Sequence, residues 1–250
     1  MIDRFELKFL LSPRQRDEAE QTLVARLSQD PHGGGGRYEV SSLYFDSPDW
    51  RWLTEKLDGV DPRQKVRVRW YGGAVSQAEQ GFVEIKHRRE RRVLKERVTC
   101  GKDSLLKLLA GDLGESLALT GPDPDGVAAR VALLASRLEL RPATVIHYRR
   151  LAFQAPEERR LRITFDEEVR AYSSEDAELA GRGLPVLPPG WTVLEVKFDQ
   201  RIPAWVGQAL RSLKLRLQPF SKYAEGVLVL RGLSSHALPP ALARQRSRGS

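Results

Sequence analysis

Five segments of this chain set charged side chains two residues apart with apolar residues between them: Arg4/Glu6/Lys8, Lys65/Arg67/Arg69, Glu84/Lys86, Arg160/Arg162/Asp166 and Glu195/Lys197/Asp199. Four of the five mix Lys or Arg with carboxylates, and Lys65/Arg67/Arg69 is wholly cationic. A guanidinium offers two parallel donors to phosphate oxygens, and an ammonium offers a mobile point charge. A carboxylate among them can orient a cation or hold a hard divalent metal together with substrate phosphate. The chemistry these residue types suit is the gripping of phosphates, and phosphoryl transfer asks for little else, since it depends on positioning and charge neutralisation.

The spacing also names the elements that must position them. Charge on one parity and apolar residues on the other is the period of a half-buried strand. Strands are predicted over residues 2–11, 38–46, 64–71, 81–88, 91–99, 143–153, 160–170 and 191–199. Ser12-Pro13 supplies an N-cap and a first-turn proline for a helix over 13–28. Ser47-Pro48 opens a short helix carrying Trp50, Trp52 and Leu53, whose tryptophans are read as packing. Asp103 caps a helix over 104–110, and further helices are expected over 126–139, 203–217 and 221–231. Gly33–Gly36 precedes no Gly-Lys-Ser/Thr, so it is not a phosphate loop. Strands joined by short loops, with several helices, point to an α+β fold on a curved antiparallel sheet.

The whole chain bounds the reading. At 250 residues it suits one domain, here 1–235, followed by a basic and disordered tail over 236–250. A net charge of +8 favours an acidic partner, whether nucleic acid, anionic membrane or phosphorylated molecule. Nucleic acid is not expected, because the aromatics look structural and not like an exposed stacking face. With one cysteine, Cys100, no internal disulfide forms, and Cys100 is read as a small buried residue. No stretch reaches membrane-span length, so the chain is expected to be soluble and cytoplasmic.

A sheet with one wet face is the ordinary source of such alternation. Here, however, the polar parity carries Arg or Lys with Glu and little Ser, Thr or Gln. Amphipathic helices meanwhile need an apolar sheet face to cover. If the sheet closes into a barrel with helices outside, the charged parity points into the lumen. Buried cations without partners cost several kcal/mol each, so such a lumen must hold water and anions.

At this point an ordered series of motifs resembles the VTC domain, the polyphosphate-polymerase branch of the triphosphate tunnel metalloenzymes. The series runs Arg4-Phe-Glu-Leu-Lys8, Ser42-Leu-Tyr-Phe-Asp46, Lys65-Val-Arg67-Val-Arg69-Trp-Tyr71, Val83-Glu-Ile-Lys86, Tyr148-Arg-Arg150-Leu-Ala-Phe153, Arg162-Ile-Thr-Phe-Asp166, Leu194-Glu195-Val-Lys197 and Phe220-Ser221-Lys222-Tyr223. The resemblance covers about residues 2–232. It implies a closed antiparallel β-barrel tunnel of about eight strands with a charged lumen. It implies an enzyme that moves the ATP γ-phosphate onto a growing polyphosphate chain with Mn²⁺ or Mg²⁺. A metal-dependent tri(poly)phosphatase on the same fold, or a non-catalytic module binding polyphosphate or nucleic acid, is the alternative.

Carried over motif by motif, Lys8, Arg67, Arg69, Lys86, Arg150, Arg162 and Lys222 would grip phosphates in catalysis. Arg4, Arg88, Lys95, Arg97, Lys197, Ser221 and Tyr223 would add substrate contacts. Glu195 would hold the metal, while Glu6 would either join it or orient Arg4 or Lys8. Arg88 stands where the family often has histidine, leaving His87 without a role. Arg4 replaces the first carboxylate of the Glu-x-Glu-x-Lys opening of the hydrolytic branch, which favours the polymerase. Asp46 and Asp166 are read as strand-ending turn-formers. ATP and polyphosphate are the expected partners, with a separate membrane partner possible for the product.

Overall fold

The computed structural model describes residues 4–31, 34–89, 92–113, 120–155, 160–177 and 183–233. In chain order the elements are β1 (Arg4–Leu11), α1 (Pro13–Val24), β2 (Ser28–Gln29), β3 (Arg37–Asp46), α2 (Arg51–Leu57), β4 (Arg63–Tyr71), β5 (Gln80–Arg89), β6 (Arg92–Gly101), α3 (Lys102–Leu109), α4 (Val127–Leu138), β7 (Arg141–Gln154), β8 (Arg162–Tyr172), β9 (Leu184–Pro185), β10 (Thr192–Asp199), α5 (Ala204–Ser212) and α6 (Lys222–Leu230). The expected tail over 236–250 lies outside the described residues.

All strand pairs are antiparallel, and the long strands follow the order β7-β3-β4-β5-β6-β1-β10-β8, with β8 pairing back onto β7. The closed barrel expected from the sequence does not form along one line. Among the described residues β6 and β1 share only the pair Phe5↔Arg92, and the curled barrel is open there. From that pair the described parts of the two strands run away in opposite directions and overlap little. The free edge of β1 is instead taken by the segment after α5, where Leu217 bridges Phe9 and the Gln218 amide donates to the Lys8 carbonyl. This segment was expected to be helical. α5 stops at Ser212 because Lys214 adopts a left-handed φ of 51°.

The alternation explains the core. Val66, Val68 and Trp70 of β4, Val83 and Ile85 of β5, and Val98 and Cys100 of β6 face outward and pack against α3 and α4. Phe9 and Leu11 of β1 and Leu194 and Val196 of β10 share a second cluster with residues of α1 and α5. Ser12 caps α1 through a reciprocal capping box with Gln15, although the helix ends at Val24, short of 28. Asp103 sits in the first turn of α3, inside the helix; Gly101 is the N-cap and makes no side-chain cap bond.

One helix departs from the expected outer layer. A Cβ at Gly226 of α6 would press on Ile146 Cδ1 and Ala171 Cβ. Ile146 shares its parity on β7 with Tyr148 and Arg150, so α6 lies against the inner face and plugs one end of the barrel. Glycine at 226 permits that close approach.

Candidate active site

The inward parity of β4 carries Arg63, Lys65, Arg67 and Arg69. Its ladder with β5 sets Arg67 opposite Glu84, but Lys65 opposite Lys86 and Arg63 opposite Arg88. β6 then places Arg97 on the other side of Glu84. Glu84 is fully buried and accepts from Arg67 Nε at 2.6 Å, Arg97 Nε at 2.7 Å and Lys95 Nζ at 3.3 Å. Burial alone would raise its carboxyl, but Arg67, Arg69, Lys95 and Arg97 hold it far below the carboxylate range.

Across the sheet, β1 and β10 set Lys8 opposite Glu195 and Glu6 opposite Lys197. Glu195 meets Lys197 at 2.6 Å, Lys222 at 2.8 Å, and Lys8 and Arg150 at 3.5 Å. Burial opposes its ionisation and these cations outweigh burial, leaving it well below its ordinary value. Glu6 lies 2.8 Å from Lys86, 3.7 Å from Lys8 and 3.8 Å from Lys197. Its nearest cation is therefore Lys86 of β5, not a neighbour on its own strand.

Asp166 is a correction. It lies within β8, fully buried, and not at a turn. Arg150 grips it with a two-pronged fork at 2.6 and 2.8 Å, and Lys222 reaches it at 2.5 Å. Lys222 begins α6, whose N-cap is Ser221. Despite burial, Asp166 and Glu195 hold the Lys222 ammonium far above the usual lysine range. Asp46 does end its strand: it accepts from the Ser47, Trp52 and Leu53 amides at the start of α2 and from the Tyr223 hydroxyl. That last bond turns the Tyr223 hydroxyl away from any phosphate, so only its ring faces the site.

These groups surround a cavity that opens to solvent. Lys8, Glu6, Arg67, Arg69, Lys86, Arg88, Arg150, Glu195, Lys197, Ser221, Lys222 and Tyr223 all line it. Lys95 and Arg97 stand behind Glu84 and are not among its lining residues, and Arg97 lies over the Phe82 ring at 4.5 Å. Arg162 belongs to another cluster, bound to Asp30 at 2.6 Å and to the Tyr38 hydroxyl at 2.7 Å. The Arg4 side chain lies outside the described part of the structure. Sequence reasoning passed over Lys56, Arg63, Lys65, Tyr44 and Tyr148, all of which line the cavity. The β4 stripe carried the signal for Lys65 and Arg63; nothing local marked Lys56 on α2.

Eleven Lys and Arg side chains line the cavity against two lining carboxylates. Arg69 shows the consequence most clearly. It is 8% exposed, and its guanidinium donates to the Ser42 and Tyr148 hydroxyls at 3.2 Å each. No carboxylate oxygen among the described residues pairs with it. A buried guanidinium held only by neutral acceptors favours an incoming anion.

The fold and the cavity define a class of protein, a curled antiparallel barrel with a cation-rich interior. The VTC domain model matches residues 3–231, and the chain belongs to that family. Among curated proteins it is similar to vacuolar transporter chaperone complex subunit 4 of Trypanosoma brucei brucei, 25% identical over 77% of this chain and 28% of that protein. The same subunit of Schizosaccharomyces pombe is 25% identical over 76% of this chain and 32% of that protein. The chain thus spans about a third or less of these relatives' length. Among solved structures, a provisionally assigned adenylate cyclase of Bacillus halodurans shares the fold, with a TM-score of 0.52, 13% identity, and coverage of 88% of this chain and 94% of that one.

Proposed function

We propose that this chain is a polyphosphate polymerase, transferring the γ-phosphate of ATP to the end of an inorganic polyphosphate chain inside the cavity. The observation that carries the reading is Arg69, buried without a carboxylate in a cavity whose cations outnumber its anions. Membership of the VTC domain family and the likeness to subunit 4 proteins support it.

In this reading Lys8, Arg67, Arg69, Lys86, Arg150 and Lys222 hold the phosphates in line and neutralise the charge that spreads over the transferred group. A terminal phosphate oxygen of the acceptor attacks the γ-phosphorus as the bond to ADP breaks. The acceptor is already anionic, so no protein base is required. Asp166 and Glu84 act at one remove, fixing Arg150, Lys222 and Arg67.

Among the described residues no group of three His, Cys, Asp or Glu stands together as an all-protein metal cage. Glu195 and Glu6 still fit a hard divalent cation of the kind that takes one or two carboxylates and completes its shell with substrate phosphate. Bound there, Mn²⁺ or Mg²⁺ would polarise the phosphoryl oxygens. The relatives' name as complex subunits supports a membrane partner that receives the product. No helix of the described residues is long and apolar enough to cross a membrane.

The test is incubation of pure protein with ATP and Mn²⁺, with products separated by length. Long acid-labile polymer is expected. Orthophosphate alone, even with a short polyphosphate primer present, would replace this reading with a triphosphatase. Arg67→Ala and Lys222→Ala should each lower turnover by orders of magnitude while ligand-free protein still folds.

A further inference from the structure

The cations of this cavity fall into two electrostatic zones. In the interior most are matched by a carboxylate, Arg67 by Glu84, Lys86 by Glu6, Arg150 by Asp166 and Lys222 by Glu195, and the exception, Arg69, is held by the Ser42 and Tyr148 hydroxyls. At the mouth formed by α2 and the start of β4 the matching stops. Among the described residues, no carboxylate oxygen lies within 4.0 Å of Lys56, Arg63 or Lys65. Arg63 donates to the Val60 carbonyl at 2.8 Å. Lys65 Nζ has only the Ser221 hydroxyl at 3.4 Å and the Tyr223 ring at 4.2 Å from its centroid. The ladder makes matters worse, because it sets Lys65 opposite Lys86, and like charges directly opposite are destabilising.

We propose that this mouth is a phosphate subsite separate from the paired interior, in which Lys65 takes up a proton as a phosphoanhydride chain docks. The proposal deepens the polymerase reading and rests on the cavity holding phosphate chains.

The physical reason is the choice of lysine. A guanidinium keeps its charge in any protein environment, whereas an amine can give up its proton when crowded. Burial, then Lys56 on α2, Arg63 on its own strand, Lys86 on β5 and Lys8 on β1, push Lys65 well below the lysine range. Lys56 is lowered by burial and by Arg63, with Glu225 of α6 opposing. Arg63 is lowered by burial and by Arg88, with Asp61 and Glu55 opposing. A weakened hold on the Lys65 proton eases the crowding of uncompensated charge at the mouth. An arriving phosphate reverses the balance. One proton passes from solvent to Nζ, and no covalent bond changes.

Calorimetric titration of the full chain tests this, using inorganic tripolyphosphate in one arm and ATP in the other, without metal. Each is run at one mildly alkaline pH in buffers of different protonation enthalpy, which gives the protons taken up per ligand bound. Wild type should take up protons. Lys65→Arg, with its fixed charge, should bind with near wild-type affinity while taking up fewer protons. Lys65→Met should bind about tenfold or more weakly, the loss of one charged hydrogen bond. An effect confined to the tripolyphosphate arm assigns the mouth to the inorganic chain, and one confined to ATP assigns it to the nucleotide's phosphates. Proton uptake unchanged in Lys65→Arg overturns the proposal and leaves the polymerase reading intact. No binding of either ligand to wild type overturns both. Should the Met variant fail to fold, the Arg variant decides.

Discussion

Replacing Asp166 by Asn removes one charge from the centre of the site and changes almost no volume. Three contacts are affected: the two prongs from Arg150 at 2.6 and 2.8 Å and the Lys222 contact at 2.5 Å. The amide oxygen can still accept from Arg150 Nε, but its NH₂ then faces another donor. Lys222 keeps Glu195 at 2.8 Å, and Arg150 keeps it only at 3.5 Å. Removing one partner of a buried pair costs about 3–5 kcal/mol, and the surviving Glu195 contacts put this case near about 3 kcal/mol. For a chain of this size that lowers Tm by about 6–12 °C.

The sign with pH is also fixed. Burial opposes the Asp166 carboxylate, but Arg150 and Lys222 hold its folded value below the ordinary one. Its contribution is therefore complete above the unfolded value of about 4 and is lost as pH falls through the lower folded value. The gap between wild type and variant should be widest near neutrality and narrow below about pH 4. Tripolyphosphate should raise the variant's Tm more than the wild type's, because a phosphate can supply the missing negative charge. Differential scanning calorimetry reads all three quantities. A neutral-pH Tm within about 2 °C of wild type, combined with an equal ligand shift, would refute the pairing argument.

Gly226→Ala should destabilise by about 1–3 kcal/mol through overpacking against Ile146 and Ala171, despite the better helix propensity; Ile146→Val in the same background should recover part of the loss in a urea titration. Cys100 is buried, and burial pushes its thiol up to about 11. Ellman's reagent should therefore label it only on unfolding, and rapid labelling of native protein at neutral pH would contradict its placement. Glu195→Gln should weaken Mn²⁺ binding in the presence of tripolyphosphate by about tenfold or more, as followed by the free-Mn²⁺ EPR signal. Unchanged affinity would remove Glu195 from the metal site.

Much of the site was legible because it is written at period two. The parity that places Arg67, Arg69, Lys86 and Glu195 inward is a local property of each strand, and so is the outward parity of Val66, Val68 and Ile85. The Ser12 cap is likewise local. Asp166 was misread because its partners, Arg150 and Lys222, lie on other elements and no neighbouring residue announces them. Arg162 shares the inward parity of its strand yet meets Asp30 and Tyr38, since parity fixes a face and not a position along the barrel. Lys56 was invisible for the same reason: a helical lysine joins the cavity only because α2 packs beside β4.

The sequence by itself determined the strands, their two faces and the cationic excess of one face, because side-chain direction alternates with each residue whatever the surroundings. Only the tertiary structure decided which carboxylate meets which cation, that the described parts of β1 and β6 leave a seam, that α6 enters the barrel end, and that Lys56, Arg63 and Lys65 pair with no carboxylate among the described residues. Those outcomes depend on the stagger between strands far apart in the chain. Shifting one strand by two residues keeps every face and exchanges every partner.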